Sequence, residues 1–575
     1  MPTSEELARR VRRLVLQNSV QHGGVARPAP VLARILATEP ELRNRSAEVA
    51  EAIRAAIDAV TALSADERAT ELARLGGPEA DRGPISKDAG GEFPDLPGAE
   101  RGRVVLRMAP FPSGALHIGN GRMIFVNDYY RRRYNGKLLL VFDDTIGSEE
   151  KRLDPDTFEI IQRDLELCDA KPDAVYYKSD LIPHHYPWAR RVIEARGAYV
   201  CTCPAELLRA NRAAGIACPE RSQEPGTTLD GWEKMLGGTF GPGEAVLRLR
   251  TDLADPDPAF RDRVLFRISD LEHPRVGHKF RVWPLLEFSW AVDDIELGIT
   301  HVIRGKDLVM EDRMQRYIWD LLGVHGPPFL HWGLLRVREA KISKSKSYAE
   351  VKSGAYDGWA DPRTWSFRSL DRRGITPEAT RRFTLSFGLS LADIEVPAET
   401  LYSENRAIID STTMRRAFVE DPVAVDVRDL PAELATTVLR NHPDQPALGT
   451  RTVNAGPSLW LADRDLRTHI GSEIRLKDLA NIQLPAALPE TGPVEASFTS
   501  RENKRIPRLQ WVARTDAVAV DLLGTEGEHR SGMAEAAVAR APAREVLQFE
   551  RVGFVRIEAD QRPDGRPVRV CFGHP

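Results

Sequence analysis

The chain has 575 residues, 42% hydrophobic and 29% charged, an ordinary globular composition long enough for roughly three to five separately cored domains. With 80 Lys+Arg against 84 Asp+Glu the net charge is −4, so any RNA-binding surface must come from local arrangement, which composition neither supports nor excludes. Five cysteines, an odd number, argue against a disulfide framework and fit a reducing cytoplasm; no stretch reads as a membrane span, and Met1-Pro2-Thr3-Ser4-Glu5-Glu6 lacks the pattern of a secretion signal.

Residues 1–75 carry helical periodicity (Leu7, Val11, Leu14, Val15, then Val31, Leu32, Ile35, Leu36) and form a small helical domain whose pattern names no partner. Gln21-His22-Gly23-Gly24 reads as a helix stop, with His22 open between a binding role and a turn or cap. Residues 76–100 turn to Gly, Pro, Asp and Ser and read as a linker. The apolar run Val104-Val105-Leu106, the turn Pro110-Phe111-Pro112-Ser113-Gly114 and a periodic segment through Met123, Phe125, Val126, Tyr129 and Tyr130 predict strand, loop and helix. After the Asn135-Gly136 stop a second strand, Leu138–Phe142, makes a βαβ unit with its polar loop at the carboxyl edge of the sheet, where nucleotides bind in open α/β folds. Alternation runs from 101 to 200, is interrupted by an insertion at 201–282, and resumes at 283–350. A helical junction (351–420) precedes a β-rich region (421–575) whose short strands between turns suggest two small β-barrels.

Two weak motifs reinforce one another. Leu116-His117-Ile118-Gly119-Asn120 opens the first helix, where free N–H groups face anions, Gly119 leaves room for a nucleotide, and His117 donates to a phosphate oxygen. Lys341-Ile342-Ser343-Lys344-Ser345 supplies a second, cationic half of a phosphate clamp. Alone, each is equally well a surface turn or a solvated basic loop; together, in this order, they favour the clamp.

The pair resembles the two signatures of class I aminoacyl-tRNA synthetases, and longer runs resemble the archaeal-type glutamyl-tRNA synthetases: Arg107–Gly114, Phe142-Asp143-Asp144-Thr145, Ala291-Val292-Asp293-Asp294, Gly298–Asp307 and Glu404-Asn405-Arg406. The resemblance spans almost the whole chain. It implies a Rossmann-like catalytic domain with an acceptor-end-binding insertion, and ATP with Mg2+ activating an amino acid for transfer to the 3′ end of tRNA in the cytoplasm. It implies ATP contacts from Ser113, His117, Gly119, Asn120, Lys341, Ser343, Lys344 and Ser345, with His117, Lys341 and Lys344 catalytic, and substrate contacts from Arg107, Ser113, Asp143 and Arg304. A guanidinium fork at Arg304 matches a γ-carboxylate and not a carboxamide, which favours L-glutamate and tRNA(Glu), with tRNA(Gln) left open; glutamine activation and a catalytically impaired tRNA-binding paralogue are the alternatives. Asp143-Asp144 reads either as substrate contacts or as a strand-end pair serving the fold. The chain departs from the family at Asn120, which stands for a second histidine, at Ile146, which stands for a third acid, and at Leu286, which stands for a tyrosine. Cys201, Cys203 and Cys218 match three ligands of a zinc site found in some members, with Glu220 where a fourth falls; buried thiols without metal are the other reading. Arg505, Arg508, Gln510 and Trp511 form a basic, aromatic stretch suited to anticodon bases, although burial in a barrel core is the commoner fate of a Trp such as Trp511. A monomer is expected, with the amino-terminal domain available to a partner protein.

Overall fold

The amino-terminal leucines and valines at helical spacing fold into helices Ser4–Gln21, Ser46–Thr61 and Ala65–Arg74, with Val11, Leu14 and Val15 sharing a core with Val49, Ile53 and Val60. Ser64 and Glu67 cap the third helix reciprocally, and Arg12 reaches Glu71 through two hydrogen bonds of 2.7 and 3.1 Å. The computed structural model describes residues 4–21, 26, 28, 31–32, 35, 46–75, 93–146, 153–340, 344–558 and 566–575, in one unit Met1–Gly90 and another Gly91–Pro575. His22 and Leu36 lie outside the described residues. Among the described residues no helix is long and apolar enough to cross a membrane.

The second unit begins inside the stretch expected as linker. Phe93 packs its ring 4.4 Å from that of Tyr129, Pro94 accepts from the Tyr130 hydroxyl at 2.8 Å, and Leu96 is 3% exposed. Gly- and Pro-rich composition set the linker expectation, and a few apolar residues within it suffice to dock the segment.

Strands Val105–Met108, Lys137–Phe142 and Ala174–Tyr177 form a parallel sheet in that order, with Val105 opposite Lys137 and Leu139 opposite Ala174. The central strand buries Leu138 to Phe142 without a break, as a strand covered on both faces should. The helix Gly121–Tyr134 crosses between the first two strands; Asn135 ends it in the left-handed conformation at φ 49°, and Gly136 follows where a Cβ would stand 2.4 Å from the Val104 carbonyl oxygen. Strand Val302–Gly305 enters beside the first strand, tied by Thr300 N–H to the Val105 carbonyl at 3.0 Å, and pairs in parallel with Phe329–Trp332. Between the two halves lies a four-stranded antiparallel sheet, Ala198–Cys201, Val246–Leu249, Val264–Ile268 and Val282–Pro284, packed with helix Pro225–Leu236.

After strand Leu335–Val337 and helix Lys344–Lys352, helices Phe367–Arg372, Pro377–Leu385 and Glu399–Ile409 lead to two seven-membered sheets. The edges of the first are Arg415–Arg416 and Phe418–Glu420, two parts of one run, so the sheet closes on itself through strands from 517 to 574. The edges of the second, Arg508–Leu509 and Val512–Ala513, are likewise neighbours, so it also closes. The two β-barrels are therefore nested in the chain, the second lying between the first strand of the other and the rest of it.

Candidate active site

Of the predicted site residues, Arg107, Asp143 and Arg304 lie at or just past the carboxyl ends of parallel strands, and His117 lies in the loop that follows the first of them. Leu116–Asn120 is pinned by paired backbone bonds, Ile118 N–H to the Trp365 carbonyl at 3.1 Å and Phe367 N–H to the Leu116 carbonyl at 3.0 Å. His117 precedes a short 3-10 turn, Ile118–Asn120, and its Nδ1 accepts from Gly119 N–H at 3.1 Å. That bond places the proton of the neutral imidazole on Nε2, the tautomer suited to donating towards a phosphate. Asn120 Oδ1 in turn accepts from His117 N–H at 3.1 Å, so the residue that departs from the family pattern holds the loop as half of a capping box. Gly119 is exposed beside it. At Gly114 a Cβ would stand 2.6 Å from the Trp359 ring, so the turn accepts only glycine without displacing that indole.

The arginines are buried and oriented by acids. Arg107, next to last in strand Val105–Met108, makes a two-point pair with Asp294, its Nη2 2.9 Å from Oδ2, and its guanidinium lies 3.6 Å over Trp290. Lys178, fully buried, rests 3.5 Å over the same ring and reaches Asp143 at 2.9 Å and the Ser289 hydroxyl at 2.6 Å. Arg304, 5% exposed, donates from Nε at 3.0 Å and from Nη2 to one oxygen of Asp312, whose other oxygen is 2.8 Å from His331 Nε2. Burial first, and the nearby Arg107 charge second, hold the Arg304 pKa below its ordinary value. Two buried cations, each already matched by one acid, make a setting for a further anion.

The pair Asp143-Asp144 divides its roles. Asp143 keeps partial exposure beside Lys178, and its N–H donates to the Pro110 carbonyl at 3.1 Å, which sets it against the loop containing half-buried Ser113. Asp144 is wholly buried and accepts from Ser179 N–H at 2.9 Å and its hydroxyl at 2.7 Å, holding the first turn of helix Lys178–Glu194; burial raises its pKa. Ile146 packs with Ile182 and Trp283, and Leu286 against the group containing Trp290. Lys341 and Ser343 lie outside the described residues, as do the side chains of Lys344 and Ser345; helix Lys344–Lys352 ends with Lys352 3.2 Å from Asp154.

Sequence reasoning missed Asp294, Asp312, Lys178 and Trp290. For Asp294, which lies in the Ala291–Asp294 run, the local signal is a pair of acids on an apolar helix, where Asp293 pairs with buried His185 at 2.7 Å.

In the insertion, the sulfurs of Cys201, Cys203 and Cys218 lie within 4.8 Å of one another, and Glu220 Oε2 is 3.8 Å from Cys203 Sγ. The three thiols are three of the four ligands a structural zinc takes, and Cys201, Cys203 and Cys218 would hold it; Glu220, an unusual ligand for such a site and itself accepting from the Thr202 hydroxyl at 2.6 Å, stands nearest to the fourth place. Buried Arg248 donates to Cys218 Sγ at 2.9 Å.

Between the barrels lies a cavity of about 470 Å3 lined by Arg415, Arg451, Lys477, Gln510 and Trp511 among others. Gln510 donates to Glu550 at 3.1 Å, while its buried Oε1 and a buried Nη1 of Arg415 have no hydrogen-bond partner. Trp511 is 4% exposed, packs in the barrel core and donates its indole N–H to the Lys477 carbonyl at 2.9 Å, and it also forms part of the cavity wall. Arg505 and Arg508 are exposed, the latter donating to Asn503 at 3.0 Å.

Residues 103–410 match the family described as "tRNA synthetases class I (E and Q), catalytic domain", and residues 413–497 and 508–558 match its two anti-codon binding domain families. A glutamate--tRNA ligase of Pyrococcus abyssi is 38% identical over 99% of this chain and 100% of its own, and one of Methanopyrus kandleri is 38% identical over 99% of each. The crystal structure of a glutamate-tRNA synthetase from Elizabethkingia anophelis is 20% identical over 54% of this chain and 71% of that one, with a TM-score of 0.40, too loose to carry weight. With nucleotide loop, buried arginine pair and near full-length relatives in agreement, the chain belongs to the class I tRNA synthetases of the glutamate and glutamine kind.

Proposed function

We propose that this protein activates L-glutamate with ATP and transfers it to the 3′ end of tRNA(Glu). The α-carboxylate of glutamate attacks the α-phosphorus of ATP, expelling pyrophosphate and leaving glutamyl-adenylate; a terminal ribose hydroxyl of the tRNA then attacks the acyl carbon and releases AMP. No protein nucleophile is needed, and the enzyme's work is positioning and charge stabilisation. The carrying observation is Arg304. Two of its five N–H groups are committed to Asp312, which fixes the fork and leaves three for a side-chain carboxylate, where a carboxamide would present the wrong charge. His117 Nε2 and the lysine loop of 341–345 serve the triphosphate, carried in as its magnesium complex. The insertion takes the acceptor end, and the cavity between the barrels, with Gln510 and Arg415 offering an acceptor and a donor, takes an unpaired anticodon base. Amino-acid-dependent ATP–pyrophosphate exchange, run with and without tRNA, tests the reading: glutamate should support exchange and glutamine should not. Preference for glutamine would refute it.

A further inference from the structure

The nucleotide loop does not rest on the catalytic sheet alone. Its outer side is paired to Trp365–Phe367, and that segment runs directly into helix Phe367–Arg372, capped by the Ser366 hydroxyl accepting from Ser369 N–H at 3.0 Å. Asp164, fully buried, grips loop and helix together: it accepts from Leu116 N–H at 2.9 Å through one oxygen and from Arg368 Nε at 2.6 Å through the other. The far end of the same helix is held by the barrel that contains Arg415–Glu420. Arg372 makes a two-point pair with Glu558, at 2.9 and 3.2 Å, and Asp371 receives Arg544 at 2.7 Å and Arg556 at 2.9 Å. Arg373, 1% exposed, adds a bond to the Gly573 carbonyl at 2.7 Å. Arg368 and Arg372 are one helical turn apart, so the contacts to loop and barrel lie on one side of a rigid element.

We propose that helix Phe367–Arg372 is a lever through which the barrel positions His117: Asp371 and Arg372 are positioning residues, set by Arg544, Arg556 and Glu558, that fix the loop for adenylate formation. Forked, charge-assisted bonds at the barrel end define orientation as well as distance, and the backbone pairing at the other end passes a displacement of the helix to Leu116–Ile118 with little slack. A shift well under an ångström at His117 is enough to matter, since misplacement by about 1 Å costs on the order of 100-fold in rate. The inference rests on the RNA-charging reading above, because adenylate formation is the step it affects.

The test is a double-mutant cycle on the full chain, using Glu558→Gln at the barrel end and Asp164→Asn at the loop end, two positions that share no hydrogen-bond partner. The readouts are kcat and KM for ATP in glutamate-dependent exchange with tRNA present, tRNA retention on nitrocellulose, and thermal melting. Each single variant should lower kcat by about 5- to 20-fold with KM for ATP and tRNA retention within about twofold, and the double should be no slower than the worse single. Glu495→Gln, which cuts an exposed barrel pair with Arg428 off this route, should leave kcat unchanged. If Glu558→Gln melts early, Arg544→Gln, at an exposed partner of Asp371, is read in its place. Multiplicative single effects, or a Glu558 variant with full kcat, would overturn the lever alone; a wild type without glutamate-dependent exchange would overturn it together with the proposed function.

Discussion

Replacing Arg304 by glutamine separates charge recognition from everything else the site does. Glutamine keeps a polar group of intermediate length but removes the fork, so a bound glutamate loses about two charge-assisted hydrogen bonds, each worth roughly 1.5–3 kcal/mol. At 1.36 kcal/mol per decade, the loss in kcat/KM for glutamate is on the order of 10²- to 10⁴-fold, while glutamine, which never gained from the charge, changes far less. The variant also strands Asp312, 6% exposed, with only His331 to meet it, so melting must be followed alongside. Arg304→Lys is the companion, retaining the charge without the planar fork, and should fall between wild type and Arg304→Gln. Exchange assays with each amino acid provide the measurement. A folded Arg304→Gln enzyme that still prefers glutamate to glutamine by the wild-type margin would refute the assignment.

His117→Asn keeps a side-chain acceptor for Gly119 N–H but removes the imidazole donor, so kcat for exchange should drop by about 10²- to 10³-fold with little change in melting; an unchanged kcat would remove His117 from the chemistry. His574, fully buried between Asn405 and the Tyr402 ring, has its pKa pushed down to about 4 by burial, against 6.5 in the unfolded chain. The unfolded state therefore binds the proton first, and stability present above pH 6.5 should be lost by up to about 3 kcal/mol as pH falls towards 4; urea midpoints at pH 5 and 7.5 would show it, and His574→Gln should flatten the difference. For the cysteine cluster, metal analysis of protein purified without chelator should return one zinc per chain, abolished in Cys218→Ser; no zinc would leave Arg248 and buried thiols as the whole of the site.

What the sequence showed and what it hid follow from the range of the interactions. Leu138–Phe142 announces a doubly covered strand, and Asn135-Gly136 its preceding turn, because both signals are carried by adjacent residues. Arg107, His117 and Arg304 stand out because motifs lie in contiguous stretches. Asp294 lies in one such stretch, Ala291–Asp294, but its pairing with Arg107 spans 187 positions, and only the fold brings them together. Trp511 was ambiguous for the same reason, since its burial depends on the Lys477 carbonyl and not on its neighbours. The order of the barrels was hidden too, because a strand's partners are chosen by register between distant segments and leave no local mark.

That nesting has a consequence for synthesis. The run Arg415–Glu420 leaves the ribosome early, yet its partners are Val546–Phe549 and His529–Glu535, and the sheet between them is complete only once Val568–His574 has joined. The intervening barrel can close first, which leaves its host waiting with raw edges during translation. A nascent chain stalled between residues 513 and 568 should accordingly be a substrate for chaperones that hold exposed strands, whereas one stalled before 415 should not.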